Sequence, residues 1–357
     1  MPAPSLRAWL CATLMVSVAT LAAPSASLAV EKKSETTAKK AKASKSVAKA
    51  PAKTAAKPKA EKLSAGSRRA SQASVAAKPA PVAKSVRKNV HKVVAVDSGD
   101  WVGAARNLGL QSSAALVQDL TTGEFVFEKN GSTVVPIASI TKLMTAMVTL
   151  DANPNLNETL TIGEEDVDTL KGSRSRLHVG TQLSREQALL LALMSSENRA
   201  AHALSRHYPG GTAAFVAAMN RKAQSLGMTH TRFEDPTGLT ANNVSTARDL
   251  AKMVSAAHHY PLIREFSTTP GATVEVAGRP MAFNNTNALV KSDSWEIGLS
   301  KTGFIQEAGK CLVMQAHVAG RPVAIVLLDS AGKMTRIGDA NRLKRWMESS
   351  GAKATRA

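Results

Sequence analysis

The chain has 357 residues, 46 of them basic and 27 acidic, for a formal net charge of +19. The excess is local: residues 31–95 hold 18 Lys/Arg against three Glu, Arg7 adds one charge, and residues 96–357 add only +3. The chain is therefore a nearly neutral domain behind a basic leader, which excludes a uniformly basic protein, and 4% aromatics are too few for single-stranded nucleic-acid stacking platforms.

In chain order, residues 1–29 read as a secretory signal. Arg7 is the positive start, Ala8 to Ala23 an apolar stretch too short for a comfortable membrane span, and Ser27-Leu28-Ala29 a small-residue cleavage site. Retention as an N-terminal anchor is the alternative. Cleavage would remove Cys11 and leave Cys311 with no intrachain disulfide partner. Residues 30–96 form a Lys/Ala/Ser/Pro-rich linker with almost no large apolar side chain, so it cannot bury enough surface to offset its ordering entropy. At about 45 Å root-mean-square span it is a tether. Its expected partners are anionic envelope polymers or lipid head groups. Its composition resembles linker-histone tails, but export argues against nucleic acid.

Residues 97–357 are the expected folded domain. Ala114–Gln118 and Glu124–Phe127 flank Asp119-Leu120-Thr121-Thr122-Gly123 as a β-hairpin. A helix follows from about Ser139 to Leu150, apolar nearly all round and so buried. Ser184-Arg185-Glu186-Gln187 is a capping box opening an apolar run to Met194. A further helix runs from near Thr212 to a stop at Gly227, and Thr246 opens one carrying Leu250, Met253 and Val254. After Pro270 the pattern turns to strands: Val274–Val276, Ile297–Ser300, Cys311–Val318 and Val323–Leu328, the last two joined at Ala319-Gly320. A last helix lies near Arg336–Met347. Strands at both ends around a helical middle predict an α+β domain, with N- and C-terminal strands sharing one antiparallel sheet against a helical cluster. No Cys/His spacing suits zinc, His258–His259 reads as a solvated helix end, and no metal or cofactor is expected.

Three short strings carry candidate chemistry: Ser139-Ile140-Thr141-Lys142, Ser196-Glu197-Asn198 and Lys301-Thr302-Gly303. Ser-x-x-Lys alone means little, since it recurs at Ser46/Lys49, Ser85/Lys88, Ser330/Lys333 and Ser350/Lys353. Only Ser139 opens a strongly apolar helix, where residues i and i+3 share a face and the Lys142 amine reaches the Ser139 hydroxyl. For Lys142 to act as a base near neutrality its pKa has to fall about 3 pH units from about 10.4, or about 4 kcal/mol. Burial supplies part of that, and Lys301 is the candidate second cation for the rest. Ser196 would relay a proton to a leaving amine, and Asn198 would orient Lys142 or bind substrate. Lys301 and Thr302 would hold a carboxylate at the end of a strand, with Gly303 permitting close backbone approach. The backbone N–H groups of Ser139 and Phe304 would form an oxyanion hole.

Together the three strings, on a helix start, a turn and a strand, resemble those of the low-molecular-mass serine-type penicillin-binding proteins. Asp235-Pro236-Thr237-Gly238-Leu239, Ser245 to Leu250, and Glu307 to Val313 after Phe304 add to the likeness, which spans roughly residues 97–330. The resemblance implies a β-lactamase/transpeptidase-like fold. It also implies a periplasmic D-alanyl-D-alanine peptidase acting on peptidoglycan peptides and acylated by β-lactams. Ser139 would be the acylated nucleophile, Lys142 the general base, Ser196 the relay and Lys301 a substrate-binding cation. Ser196-Glu197-Asn198-Arg199 looks most like the endopeptidase branch, which cuts the D-alanyl–diaminopimelate cross-link. Carboxypeptidase relatives typically carry Gly in the Glu197 place and a further C-terminal domain. Carboxypeptidase action on pentapeptide stems is the alternative. A β-lactamase would need a deacylating glutamate, for which Glu234 is the nearest candidate. A non-catalytic wall-binding protein would not need the intact set.

Overall fold

The structure, a computed structural model, describes residues 108–354; the expected signal, linker and start of the domain at residue 97 lie outside them. Five strands form one antiparallel sheet in the order β2-β1-β11-β10-β9. Strand β1 is Ala114–Asp119, β2 Phe125–Lys129, β9 Glu296–Ile305, β10 Gly309–Val318 and β11 Arg321–Ser330. The first strands thus pair with the last, Leu116 opposite Val326 and Val117 opposite Ile325.

Both faces of this sheet are covered. Leu116, Val313, Val326 and Leu328 point into the helical cluster. Their neighbours Val117, Leu312, Ile325 and Leu327 point the other way, onto Ala340, Leu343, Trp346 and Met347 of the C-terminal helix. Period-two alternation then places apolar residues on both sides, so β10 and β11 read as nearly continuous apolar runs. Seven α-helices are described: α1 Thr141–Asp151, α2 Arg185–Met194, α3 Asn198–Arg206, α4 Gly211–Ser225, α5 Ala247–Ala257, α6 Pro261–Thr268 and α7 Lys333–Ala354. None of the described helices is long and apolar enough to cross a membrane.

Local chemistry explains most of these elements. Ser184 caps α2 by accepting from Gln187 N, with the Gln187 side chain returning the bond. Thr246 caps α5 through Asp249 N. Gly227, with φ +68°, follows the last turn of α4, and His258 caps the end of α5. Ala319 and Gly320 both adopt positive φ, as a two-residue hairpin turn requires.

Three expectations need correction. The helix expected from Ser139 begins as a 3₁₀ turn, Ala138–Ile140, and becomes α-helical at Thr141. The strand expected to end at Ser300 continues to Ile305, so Lys301-Thr302-Gly303 lies inside β9 and not beyond it. The isolated strand Val274–Val276 belongs to a hairpin of β7 (Gly271–Val276) with β8 (Arg279–Asn284). Helices α3 and α6, and the short strand pairs β3 (Val135–Pro136) with β6 (Val244–Ser245) and β4 (Thr159–Thr161) with β5 (Gln182–Ser184), were not foreseen.

Asp339 docks α7 onto the start of the sheet. Its buried carboxylate accepts from Gln111 N (3.1 Å), Ser112 N (2.7 Å), Ser112 Oγ (2.7 Å) and Arg342 Nη2 (2.9 Å). Replacing Asp339 by Ala strands these donors, and urea unfolding should show a loss of about 3 kcal/mol.

Candidate active site

The three strings converge. The turn Ala138–Ile140 sets Ser139 at the mouth of α1, and one turn later Lys142 is fully buried. Lys142 Nζ donates to Ser139 Oγ (2.8 Å), Asn198 Oδ1 (2.7 Å) and the Thr237 carbonyl (2.7 Å). Three acceptors saturate an ammonium, while a neutral amine donates two and keeps a lone pair for the hydroxyl.

Ser196-Glu197-Asn198 links α2 to α3. Ser196 sits at φ +61°, strained for a residue with a Cβ, and this turns its hydroxyl toward the sheet. Its Oγ accepts from Lys301 Nζ at 2.9 Å. Lys301, 1% exposed, also donates to the Thr302 carbonyl (2.9 Å). Thr302 Oγ1 donates to Thr286 Oγ1 (2.7 Å), and Asn198 Nδ2 donates to Ser173 Oγ (2.9 Å). Both lysines are thus buried in one site, Lys142 bonded to Ser139 and Lys301 bonded to Ser196.

Two buried amines cannot both hold a proton cheaply. Burial lowers Lys142 from 10.5 to about 7, against the pull of the Asp235 and Glu197 carboxylates. Lys301 is driven well below its usual value by burial, then by the charges of Lys142 and Arg336. The expected division of labour is therefore corrected: burial is the main cause at Lys142, and repulsion between the amines is felt most at Lys301. Between pH 7 and 10.5 the unfolded chain holds a proton on Lys142 that the folded chain has lost, so this group's contribution to stability rises with pH across that window.

Close approach of backbone completes the pocket. A Cβ on Gly303 would lie 2.9 Å from the Ile137 carbonyl and 3.1 Å from Ser139 N, so β9 abuts the Ser139 turn only because residue 303 has no side chain. Gly238, at φ +82°, is tighter still: a Cβ there would lie 1.9 Å from the Ala138 carbonyl. Asp235 folds the loop that supplies Gly238 and the Thr237 carbonyl, accepting from Thr237 N, Thr237 Oγ1, Gly238 N and Thr240 N.

A sequence model described as D-alanyl-D-alanine carboxypeptidase matches residues 102–332. The chain belongs to that family. It is similar to a D-alanyl-D-alanine endopeptidase of Pseudomonas aeruginosa, 52% identical over 67% of this chain and 78% of the relative. One of the same description from Escherichia coli is 50% identical over the same shares. Among solved structures, the Streptomyces K15 DD-transpeptidase matches with TM-score 0.63 and 30% identity over 67% of this chain and 98% of its own. Penicillin-binding protein D2 of Listeria monocytogenes, in its ampicillin-bound form, matches with TM-score 0.59 and 29% identity over 68% and 99%. The fold is thus the DD-transpeptidase type. The enzyme is a serine-type D-alanyl-D-alanine endopeptidase or carboxypeptidase, a hydrolase of cell-wall peptides.

In this peptidase, Ser139, Lys142, Ser196, Asn198, Lys301, Thr302 and Gly303 all lie at one locus. Phe304 follows on β9, 55% exposed, with Lys310 Nζ 2.9 Å from its ring centre. Sequence reasoning missed the Thr237 carbonyl, Ser173 and Thr286; a backbone acceptor and two ordinary hydroxyls carry no signature of their own. Glu234 is engaged at the surface by Arg232 and Asn242. Cys311 is buried in β10, its thiol pushed up to about 11 by burial, as an inert core residue would be.

Gly238→Ala should slow labelling by fluorescent penicillin at least tenfold, because the new methyl displaces the turn behind Ser139. Gly227→Ala is the control: its φ is also positive, but its nearest neighbour is Lys252 Nζ at 3.9 Å. It should lose only about 1 kcal/mol of stability and label normally.

Proposed function

We propose that the protein is a periplasmic D-alanyl-D-alanine endopeptidase that opens peptidoglycan peptide cross-links through an acyl-enzyme on Ser139, with carboxypeptidase trimming as the lesser activity. The observation that carries this is the 2.8 Å bond between Ser139 Oγ and a buried lysine whose pKa is near 7. The endopeptidase assignment is supported by the two relatives at 50–52% identity and by Glu197 between Ser196 and Asn198. Location in the periplasm rests on the leader.

The chemistry follows from the charges. Lys142, neutral, takes the Ser139 proton as Oγ attacks the D-alanyl carbonyl. The developing oxyanion is held by the N–H groups of Ser139 and Phe304, brought together by the contact at Gly303. A carboxylate on the leaving fragment docks at Lys301 and Thr302. Its negative charge favours the protonated form of Lys301, and a cation there holds Lys142 neutral. Ser196, bonded to Lys301, passes its proton to the departing amine and takes the one that Lys142 received from Ser139, so Lys142 is neutral again. Water then attacks the ester with Lys142 again accepting the proton, and Ser139 Oγ regains its hydrogen. β-Lactams enter the same path by acylating Ser139.

Mass spectrometry of muropeptides after digestion should show dimers converted to monomers; loss of a terminal alanine alone would instead mark a carboxypeptidase. Fluorescent penicillin should label the wild type, with an acylation rate rising through pH about 7 as Lys142 loses its proton. Ser139→Ala should stay unlabelled at every pH, and equal labelling of that variant would remove Ser139 from its role.

A further inference from the structure

We propose that Lys171 and Glu307 form a clasp across one end of the cleft and set which peptides the site admits. The inference rests on the reading of Ser139 as the reacting residue.

The cleft lies between β9, the edge strand of the sheet, and the wall formed by Ser196–Asn198. Residues 168–177 are attached to both sides of it. Asp168 shapes this segment from within: Oδ1 accepts from Leu170 N (2.8 Å) and Lys171 N (3.0 Å), and Oδ2 from Ser173 N (2.8 Å). On the wall side, Ser173 Oγ accepts from Asn198 Nδ2 and Ser175 Oγ donates to Glu197 Oε2 (2.7 Å). Arg176 lies 3.8 Å over the Phe283 ring and donates to the Ala282 carbonyl (2.6 Å). On the sheet side, Lys171 Nζ meets Glu307 Oε1 at 2.5 Å. Glu307 occupies the turn between β9 and β10. A segment bonded to the wall at 173–176 and to that turn at 171 spans the gap between them.

The position of the span decides what it can sense. From Lys301 to Ile305 is four strand steps, about 13 Å. A peptide lying along β9 with its terminal carboxylate at Lys301–Thr302 reaches the clasp after about four extended residues. Compact ligands end before it; a cross-linked peptide runs on into it. The two partners are 32% and 43% exposed, so the pair is weak and screened by salt. Gly172, at φ +61° with open space around its Cα, adjoins Lys171 as a pivot. Leu170 is 68% exposed beside Lys171, and Phe304 stands exposed on the strand leading to Glu307. The Phe304 ring carries the Lys310 ammonium 2.9 Å from its centre, so Leu170 is the apolar surface that the clasp offers to a passing chain.

The test uses the full chain with Lys171→Glu, Glu307→Lys and the double charge swap. Two rates are compared: turnover of a purified cross-linked muropeptide dimer and acylation by benzylpenicillin followed by intact-protein mass, a compact ligand that ends short of the clasp. Each single variant should raise kcat/KM for the dimer by about threefold to fivefold with penicillin acylation unchanged, and the swap should restore the wild-type ratio. High salt should raise the ratio in the wild type but not in the single variants. An unchanged or lower ratio in the single variants, or a swap that fails to restore it, overturns the clasp. Failure of penicillin to label the wild type overturns the reading of Ser139, and the clasp falls with it.

Discussion

Everything at this site depends on two amines, buried where water cannot shield them, having to share what is close to a single positive charge. Lys142 and Lys301 are each at most 1% exposed. An isolated ammonium at such depth is expensive, and a pair is worse, so burial lowers the pKa of both amines. Burial is what lowers Lys142 to about 7, and the repulsion between the amines falls on Lys301. That repulsion makes the protonation of Lys301 sensitive to any anion that arrives beside it. On the mechanism proposed above, substrate recognition and base activation are one electrostatic event: a carboxylate that holds the proton on Lys301 leaves Lys142 without one.

The fold supplies the order this conflict requires. Ala138 (φ +48°) and Ser196 (φ +61°) both occupy the left-handed region, each costing about 1–2 kcal/mol. Their strain is offset by dense bonding nearby. Asn243 accepts from Glu234 N and Asp235 N and donates to the Asp235 carbonyl and Thr141 Oγ1. Asp235 in turn clamps its own loop, and Thr145 Oγ1 bonds the Pro236 carbonyl. The acceptors around Lys142 are therefore held from several directions, and Lys142 cannot escape by moving toward solvent.

Much of this was legible in the sequence because it depends on residue types at short spacings. The i, i+3 relation of Ser139 and Lys142, the capping box at Ser184 and the turn at Ala319-Gly320 are local, and the structure reproduces each of them. The failures are equally physical. Helix α3 is only nine residues long and its buried face is made of Ala200, Ala201 and Ala203 with one large apolar residue, Leu204, so its amphipathic pattern is easily missed; it packs against α2 and α4. Strand β9 was cut short at Ser300 because Lys301-Thr302-Gly303 reads as a polar break; tertiary burial of the lysine overrides that preference. The Thr237 carbonyl shows the deeper limit. Its role comes from where a chain segment 95 residues from Lys142 is folded, and no side chain records it.

Rigidity falls off with distance from Lys142 in a way that suits the chemistry. Asn198 bonds Lys142 with one atom of its amide and Ser173 with the other, so the innermost link admits little freedom. One residue outward, Ser175 meets Glu197, a carboxylate only 8% exposed. Outermost, Lys171 and Glu307 meet in solvent. Bonds buried near the reacting hydroxyl gain strength from the low dielectric around them, whereas exposed ion pairs contribute little and break readily. On the proposed roles of Lys142 and the clasp, a single continuous segment holds the base through Ser173 and Asn198 and yields to a bulky polymer at Lys171. Tightening the outer contact would restrict access, and loosening the inner one would free the Asn198 amide that orients Lys142.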